Sequence, residues 1–210
     1  MKMSNTLTLV APGLHGGVLA VLARTEKPLT GRAVALLVQP RASLSGVQKV
    51  LADLVRNGLL RTEPAGRAKL YTLNREHVAY PAVHTLVHLR EELLTRIRAE
   101  AAAWELPAVA LWMFGSAARG EAGPESDIDL LVVRPGDGDD ADPSWLQQID
   151  MLSMHVTAWT GNGCEILEMS EAELGAAIQR DDRLIAEVRR DAIHLAGARP
   201  RSALRRRVTR

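Results

Sequence analysis

Aromatic side chains make up only 3% of this 210-residue chain, with one phenylalanine, two tyrosines and four tryptophans. So sparse a supply argues against a base-stacking platform for single-stranded nucleic acid, which needs several exposed rings in succession. The single cysteine, Cys164, excludes an intramolecular disulfide and fits a reducing compartment. No apolar run is long enough to cross a bilayer, and residues 108–114, the longest candidate, have the length of a buried strand. The N-terminal stretch is broken by Pro12, Gly13 and His15 and makes a poor signal peptide. The expectation is a cytoplasmic protein with no membrane partner.

What is present is a strong asymmetry of charge. Residues 1–100 carry 14 Lys and Arg against 7 Asp and Glu, whereas residues 101–198 carry 6 against 18. Six more arginines fall in residues 199–210, so the net charge of +1 is a cancellation between regions. A basic front half suits a polyanion and an acidic back half suits cations, which predicts two domains with different partners.

Leu14, Val18, Leu19, Val21 and Leu22 recur at helical spacing. Thr30 then stands where a cap opens a second helix, which Gln39-Pro40 ends. A third helix spans about residues 43–57, with Val47, Val50, Leu51, Leu54 and Val55 as its buried stripe and Gly58 as its stop. Two short apolar segments around Pro64-Ala65-Gly66 then read as a hairpin. Three helices followed by a hairpin is the order of a winged helix-turn-helix. Residues 43–60 resemble the recognition helix of bacterial winged-helix regulators. On that reading Ser43, Ser45, Gln48 and Lys49 face base edges or phosphates of double-stranded DNA. Arg67 and Lys69 on the wing meet the backbone beside it. The alternative is a protein-docking winged helix whose basic residues are merely solvated.

Residues 86–103 keep helical spacing with alternating charge and predict one long connector starting near Val83. His84 and His88 lie four apart, a spacing that can bind metal, but no third ligand accompanies them and an exposed helix face explains them better. The same connector offers a seam on which two copies could form a homodimer.

The stretch that carries chemistry is residues 111–133. A buried-strand pattern ends at Gly115-Ser116, a short helix follows, and residues 127–133 form a second strand. Gly115 has no side chain to keep a ligand from the backbone. Ser116 adds a hydroxyl beside helix N-terminal amides, a seat for phosphate oxygens. Asp127 and Asp129 are two apart on a strand, so both carboxylates face one way while Ile128 faces the core. Two hard oxygen donors at that spacing suit Mg²⁺ that also grips nucleotide phosphates.

Gly115-Ser116, Arg119-Gly120 and Ser126-Asp127-Ile128-Asp129-Leu130 closely resemble the signature of minimal nucleotidyltransferases, small members of the DNA polymerase β-like superfamily. That group includes nucleotidyltransferases of toxin–antitoxin modules. The resemblance covers roughly residues 104–195, and the whole chain looks like bacterial proteins that fuse a winged helix to this domain. It implies an α+β architecture, with an N-terminal winged helix-turn-helix and a C-terminal mixed sheet flanked by helices. It implies that Gly115, Ser116, Arg119 and Ser126 attend the NTP and that Asp127 and Asp129 hold two Mg²⁺. For Arg119 a salt bridge across the first helix is the equal alternative. A third carboxylate normally comes from a later strand, and Glu165 is the choice here, with Glu168 the competitor. A solvated strand end is the plain alternative for the aspartate pair.

The domains so expected are residues 1–75 (winged helix), 76–103 (connector), 104–197 (nucleotidyltransferase) and 198–210 (basic tail). Residues 135–142 form a Gly/Asp loop, usually just solvated. Residues 143–158 form a helix whose core face is Trp145, Leu146, Ile149, Leu152 and Val156. Ser170 and Glu173 make a capping box. His155 and His194 read as structural. The tail from Arg199 has no core pattern and suits nucleic-acid phosphate.

Two functions follow. One is transfer of a nucleoside monophosphate from an NTP to a hydroxyl on a protein, an RNA or a small molecule, a partner toxin among the candidates. The other is transcriptional regulation by a protein whose nucleotidyltransferase domain only senses nucleotide or is inactive.

Overall fold

The computed structural model describes residues 7–123, 125–136 and 142–204. Most of the Gly/Asp loop, the first six residues and the arginines beyond Leu204 lie outside these. The architecture is α+β, in two compact units divided between Arg90 and Glu91.

In the N-terminal unit, α1 (Leu7–Val10), α2 (Leu14–Ala23), β1 (Leu29–Thr30), α3 (Gly31–Leu37) and α4 (Leu44–Arg56) precede a hairpin of β2 (Leu60–Ala65) and β3 (Ala68–Leu73). Thr30 caps α3 by accepting from the Ala33 amide at 3.2 Å, and Ser43 caps α4 by accepting from Gly46 at 3.1 Å. Both short polar side chains satisfy an amide that the first helical turn leaves without a partner. The stripe expected on α4 is real: Val47, Val50, Leu51 and Leu54 are buried against Val18, Leu22 and Val34. The two-residue β1 pairs antiparallel with β3 and closes a three-stranded sheet. The unit ends in α5 (Tyr80–Val87), whose Val83 and Val87 enter the same core.

The stretch expected as one connector is two helices, α5 and then α6 (Leu89–Ala102), with His88 between them. The His88 ring turns back onto its own helix, its Nδ1 lying 2.7 Å from the His84 carbonyl oxygen. Leu93, Leu94, Ile97 and Ala101 of α6 belong to the core of the C-terminal unit.

That unit continues with β4 (Ala110–Phe114), α7 (Gly115–Arg119), β5 (Ile128–Arg134), α8 (Pro143–Thr160) and β6 (Cys164–Ser170). It closes with α9 (Glu171–Arg180), α10 (Arg183–Asp191), β7 (Ile193–Gly197) and α11 (Pro200–Ala203). The sheet order is β6-β5-β4-β7; β5 and β6 run parallel and the other pairs antiparallel, so the sheet is mixed. Alternation along β4 and β5 divides the apolar residues between two layers. Leu111, Met113, Ile128, Leu130 and Val132 meet α6 and α8, while Trp112, Leu131 and Val133 meet α9 and α10.

Two local expectations are corrected. Leu146, expected on the core face of α8, is 47% exposed. Trp145, Leu152 and Val156, expected beside it, are buried, and Ile149 packs against the same core. Residues from Arg199 on are expected to lack a core pattern, but Leu204 is buried among Ile185, Val188 and Trp112. The capping box is present: Ser170 Oγ accepts from the Glu173 amide and the Glu173 carboxylate accepts from the Ser170 amide.

Candidate active site

The site grows from the corner where β4 becomes α7. Phe114 is the partner of Asp129 across the β4–β5 ladder, so Gly115 follows at the level of that carboxylate. Gly115 adopts φ +69°, in the left-handed region that favours glycine, and a Cβ there would collide with Asp129 Oδ2. A second glycine does the same for the other aspartate: a Cβ on Gly163 would lie 2.5 Å from Asp127 Oδ1. From the sequence Gly115 serves ligand access and Gly163 is only part of a turn. The structure gives both the task of leaving volume for carboxylates.

Asp127 sits just before β5 and Asp129 is its second residue, on the side of the sheet that faces α9 and α10. Across the parallel ladder the partner of Asp129 is Glu165. Glu168, three residues on, points to the other side, where it pairs with Arg134 at 3.1 Å. Of the two glutamates weighed from sequence, Glu165 is therefore the one that joins the aspartates.

The loop before Asp127 is pinned from below. Asn162, 2% exposed, donates from Nδ2 to the carbonyl oxygens of Gly123 at 3.0 Å and Ser126 at 2.6 Å. Ser126 Oγ accepts from the Gly123 amide at 3.0 Å, so this hydroxyl, expected beside the nucleotide, shapes the loop. The Gly-Asn-Gly turn is visible in the sequence; its reach to residues 123 and 126 is not. Ser116 is the second residue of α7 and is half-buried.

The electrostatics are those of crowded anions. The Asp129 carboxyl is held above the usual range, first by burial and then by the charges of Glu165, Asp127 and Glu187, with Arg119 opposing. Glu187, on α10, is a fourth acid that no local motif announces. Arg119 donates from Nε to Glu121 at 2.7 Å and from Nη1 to Asp191 at 2.8 Å, so the salt-bridge alternative describes its contacts. Asp191 in turn is pulled down to about 2 by Arg190 and Arg119. Cys164 opens β6, but burial pushes its thiol up to about 12, which removes it as a nucleophile.

The donor set fits a hard divalent cation. Asp129, half-buried and crowded by other carboxylates, holds its proton above the usual range, and a positive charge placed there relieves the repulsion. Among the described residues no three His, Cys, Asp or Glu groups gather closely enough to hold an ion unaided. Mg²⁺ usually completes its coordination shell with water and substrate phosphate, so two protein carboxylates suffice for it. His84 and His88 likewise gain no third ligand, their rings simply lying 4.2 Å apart.

In the N-terminal unit Ser45, Gln48 and Lys49 are exposed on α4, as are Arg67 and Lys69 on the hairpin. Ser43 is exposed too, but its hydroxyl is already engaged as the α4 cap and lies 3.3 Å from Ser45 Oγ. No helix among the described residues is long and apolar enough to cross a membrane.

The stretch that contains this corner also matches a known family. Residues 94–195 match the family model described as "Nucleotidyltransferase domain", which covers just under half the chain. No curated protein matches the chain. Among solved structures, a toxin–antitoxin crystal structure with AMP-PNP aligns at TM-score 0.34 and 15% identity, over 54% of this chain and 80% of that one. TrmBL2, an archaeal chromatin protein whose structure shows a novel mode of DNA binding, aligns at TM-score 0.31 and 12% identity, over 90% and 78%. Scores of this size establish neither fold nor function. The chain thus carries a nucleotidyltransferase-type domain, preceded by a separate helical unit with a three-stranded sheet.

Proposed function

We propose that the C-terminal unit is a Mg²⁺-dependent nucleotidyltransferase that moves a nucleoside monophosphate from an NTP to a hydroxyl acceptor. The observation that carries this is the placement of Asp129 between Gly115 and Glu165, with Asp127 beside it under Gly163. Asp127 and Asp129 would hold the metal, which when bound neutralises triphosphate charge and favours in-line displacement. Gly115 and Ser116 form the edge against which phosphate oxygens rest. Glu165 takes the proton of the acceptor hydroxyl as its oxygen bonds to the α-phosphorus and pyrophosphate departs. Arg119 acts at one remove, tying α7 to Asp191 of α10 so that the Gly115 corner keeps its place.

The N-terminal unit is proposed as a winged helix-turn-helix that binds double-stranded DNA, with α4 in the major groove and the hairpin on the backbone. Its exposed Lys49, Arg67 and Lys69 support this. Lys49→Ala with Arg67→Ala is expected to weaken binding across sequences alike and to lower the salt slope by about 2, roughly one for each phosphate no longer neutralised. Titrations at several salt concentrations measure it.

The acceptor class follows from a transfer assay with each α-labelled NTP, Mg²⁺ and cell extract. The resemblance to toxin–antitoxin nucleotidyltransferases makes a partner toxin the first acceptor to try, ahead of RNA and small molecules. Label on any acceptor only when Mg²⁺ is present supports transfer. The rival read from the sequence is a regulator that binds nucleotide without transferring it. Mg²⁺-dependent NTP binding with no label under any NTP would establish that rival.

A further inference from the structure

On the far side of the sheet from Asp129, the outward faces of α6 and α8 border an open cleft of about 640 Å³. That volume lies within the range of small-molecule sites. Its walls are mostly apolar and carry two of the protein's four tryptophans, Trp104 and Trp159, with Met151 between the helices. Both rings are held in place. Trp104 stands edge-on to the buried Trp145, with centroids 5.8 Å apart. Trp159 stacks on His155 at 5.7 Å, and the His155 ring is fixed by the Glu100 carboxylate 3.0 Å from its Nδ1. The Trp104 face so preset takes a planar ligand at little cost in side-chain entropy, beside a Trp159 ring that already carries His155 and Arg96.

The charge of the cleft is also defined. Its only arginine, Arg96, is neutralised by Glu92 at 2.9 Å and already lies over the Trp159 ring, 5.8 Å from its centroid. Glu100 is largely buried, its side chain 17% exposed, and Glu105 at the rim forms no ion pair among the described residues. Even with His155 protonated and Glu100 balanced, Glu105 leaves the cleft anionic. Aromatic walls with a net negative rim match a flat ring bearing a cation.

We propose that this cleft binds a planar aromatic ligand carrying a positively charged amine. The site is separate from the nucleotidyltransferase corner and does not depend on that reading. The test uses the full chain with ¹⁵N-labelled tryptophan, whose four indole N–H signals are followed by NMR. Tryptamine, indole and indole-3-acetate serve as cationic, neutral and anionic probes of one shape. The expected result is a saturable shift of the Trp104 and Trp159 signals with tryptamine, and no shift of Trp112, whose indole is buried and bonded to the Ala198 carbonyl. Tryptamine should bind at least about tenfold tighter than indole, and indole-3-acetate more weakly than either. Glu105→Gln, an exposed change that leaves packing intact, should remove most of the tryptamine preference while indole binding stays the same. No saturable shift with any probe would overturn the proposal. So would equal affinity for all three, or shifts spread evenly over all four indoles.

Discussion

Asp127→Asn with Asp129→Asn is expected to abolish transfer, by at least about a thousandfold, while leaving the unliganded protein as stable as the wild type or more so. The loss follows from removing both carboxylates that would hold the metal, since groups acting on developing charge are each worth about 10²–10³ in rate. The gain in stability follows from the burial, and then the repulsion from Glu165, Asp127 and Glu187, that keep the Asp129 carboxyl above its ordinary range. A carboxyl with a raised folded-state pKa favours the fold while protonated and loses that advantage as pH rises through the raised value. A neutral amide in place of the Asp129 carboxyl escapes the loss, so the variant's advantage should grow between acid and neutral pH. Thermal unfolding without metal at both pH values, beside the transfer assay, reads the two effects separately. Lower activity together with a lower unfolding midpoint would assign the pair to the scaffold and sink the active-site reading.

Trp112→Ala is expected to be the most damaging single change to stability, costing about 3–5 kcal/mol as large-to-small substitutions of buried aromatics do. Trp112 is fully buried in the middle of β4, among Leu131, Ile185 and Val188. Its indole N–H also donates to the Ala198 carbonyl at 2.7 Å, across the edge where β7 joins the sheet. Truncation would leave a cavity and that carbonyl without its partner. Trp112→Phe keeps most of the volume and loses the bond, so it should cost only about 1–2 kcal/mol by the same reasoning. Urea unfolding of the two variants separates packing from hydrogen bonding. Equal costs for both would show that the bond, rather than the volume, dominates.

What can be read from the chain alone is whatever short-range pattern encodes. The α4 stripe, the Ser43 cap and the Ser170–Glu173 capping box each depend on residues within one or two helical turns. The aspartate pair is legible because alternation along a single strand fixes which way both carboxylates face. Glu165 needs the register of a second strand, which sequence suggests only by placing it just after a turn. Glu187 is invisible: α10 shows an ordinary amphipathic pattern, and only its packing against the sheet brings that acid towards Asp129. The same applies to Leu204, whose burial depends on α10 and β4 rather than on its arginine-rich neighbours. Leu146 fails in the opposite sense. Its spacing from Ile149 suits a core face, but Trp145 fills that position and turns Leu146 to solvent.

The chain's one thiol, withdrawn into β6 and hard to ionise, gives the protein an unreactive chemical background. A cysteine introduced at an exposed position, on α4 or along α8, would react with maleimide at neutral pH far faster than Cys164. Spectroscopic reporters can therefore be set one at a time on either unit without first deleting a native residue.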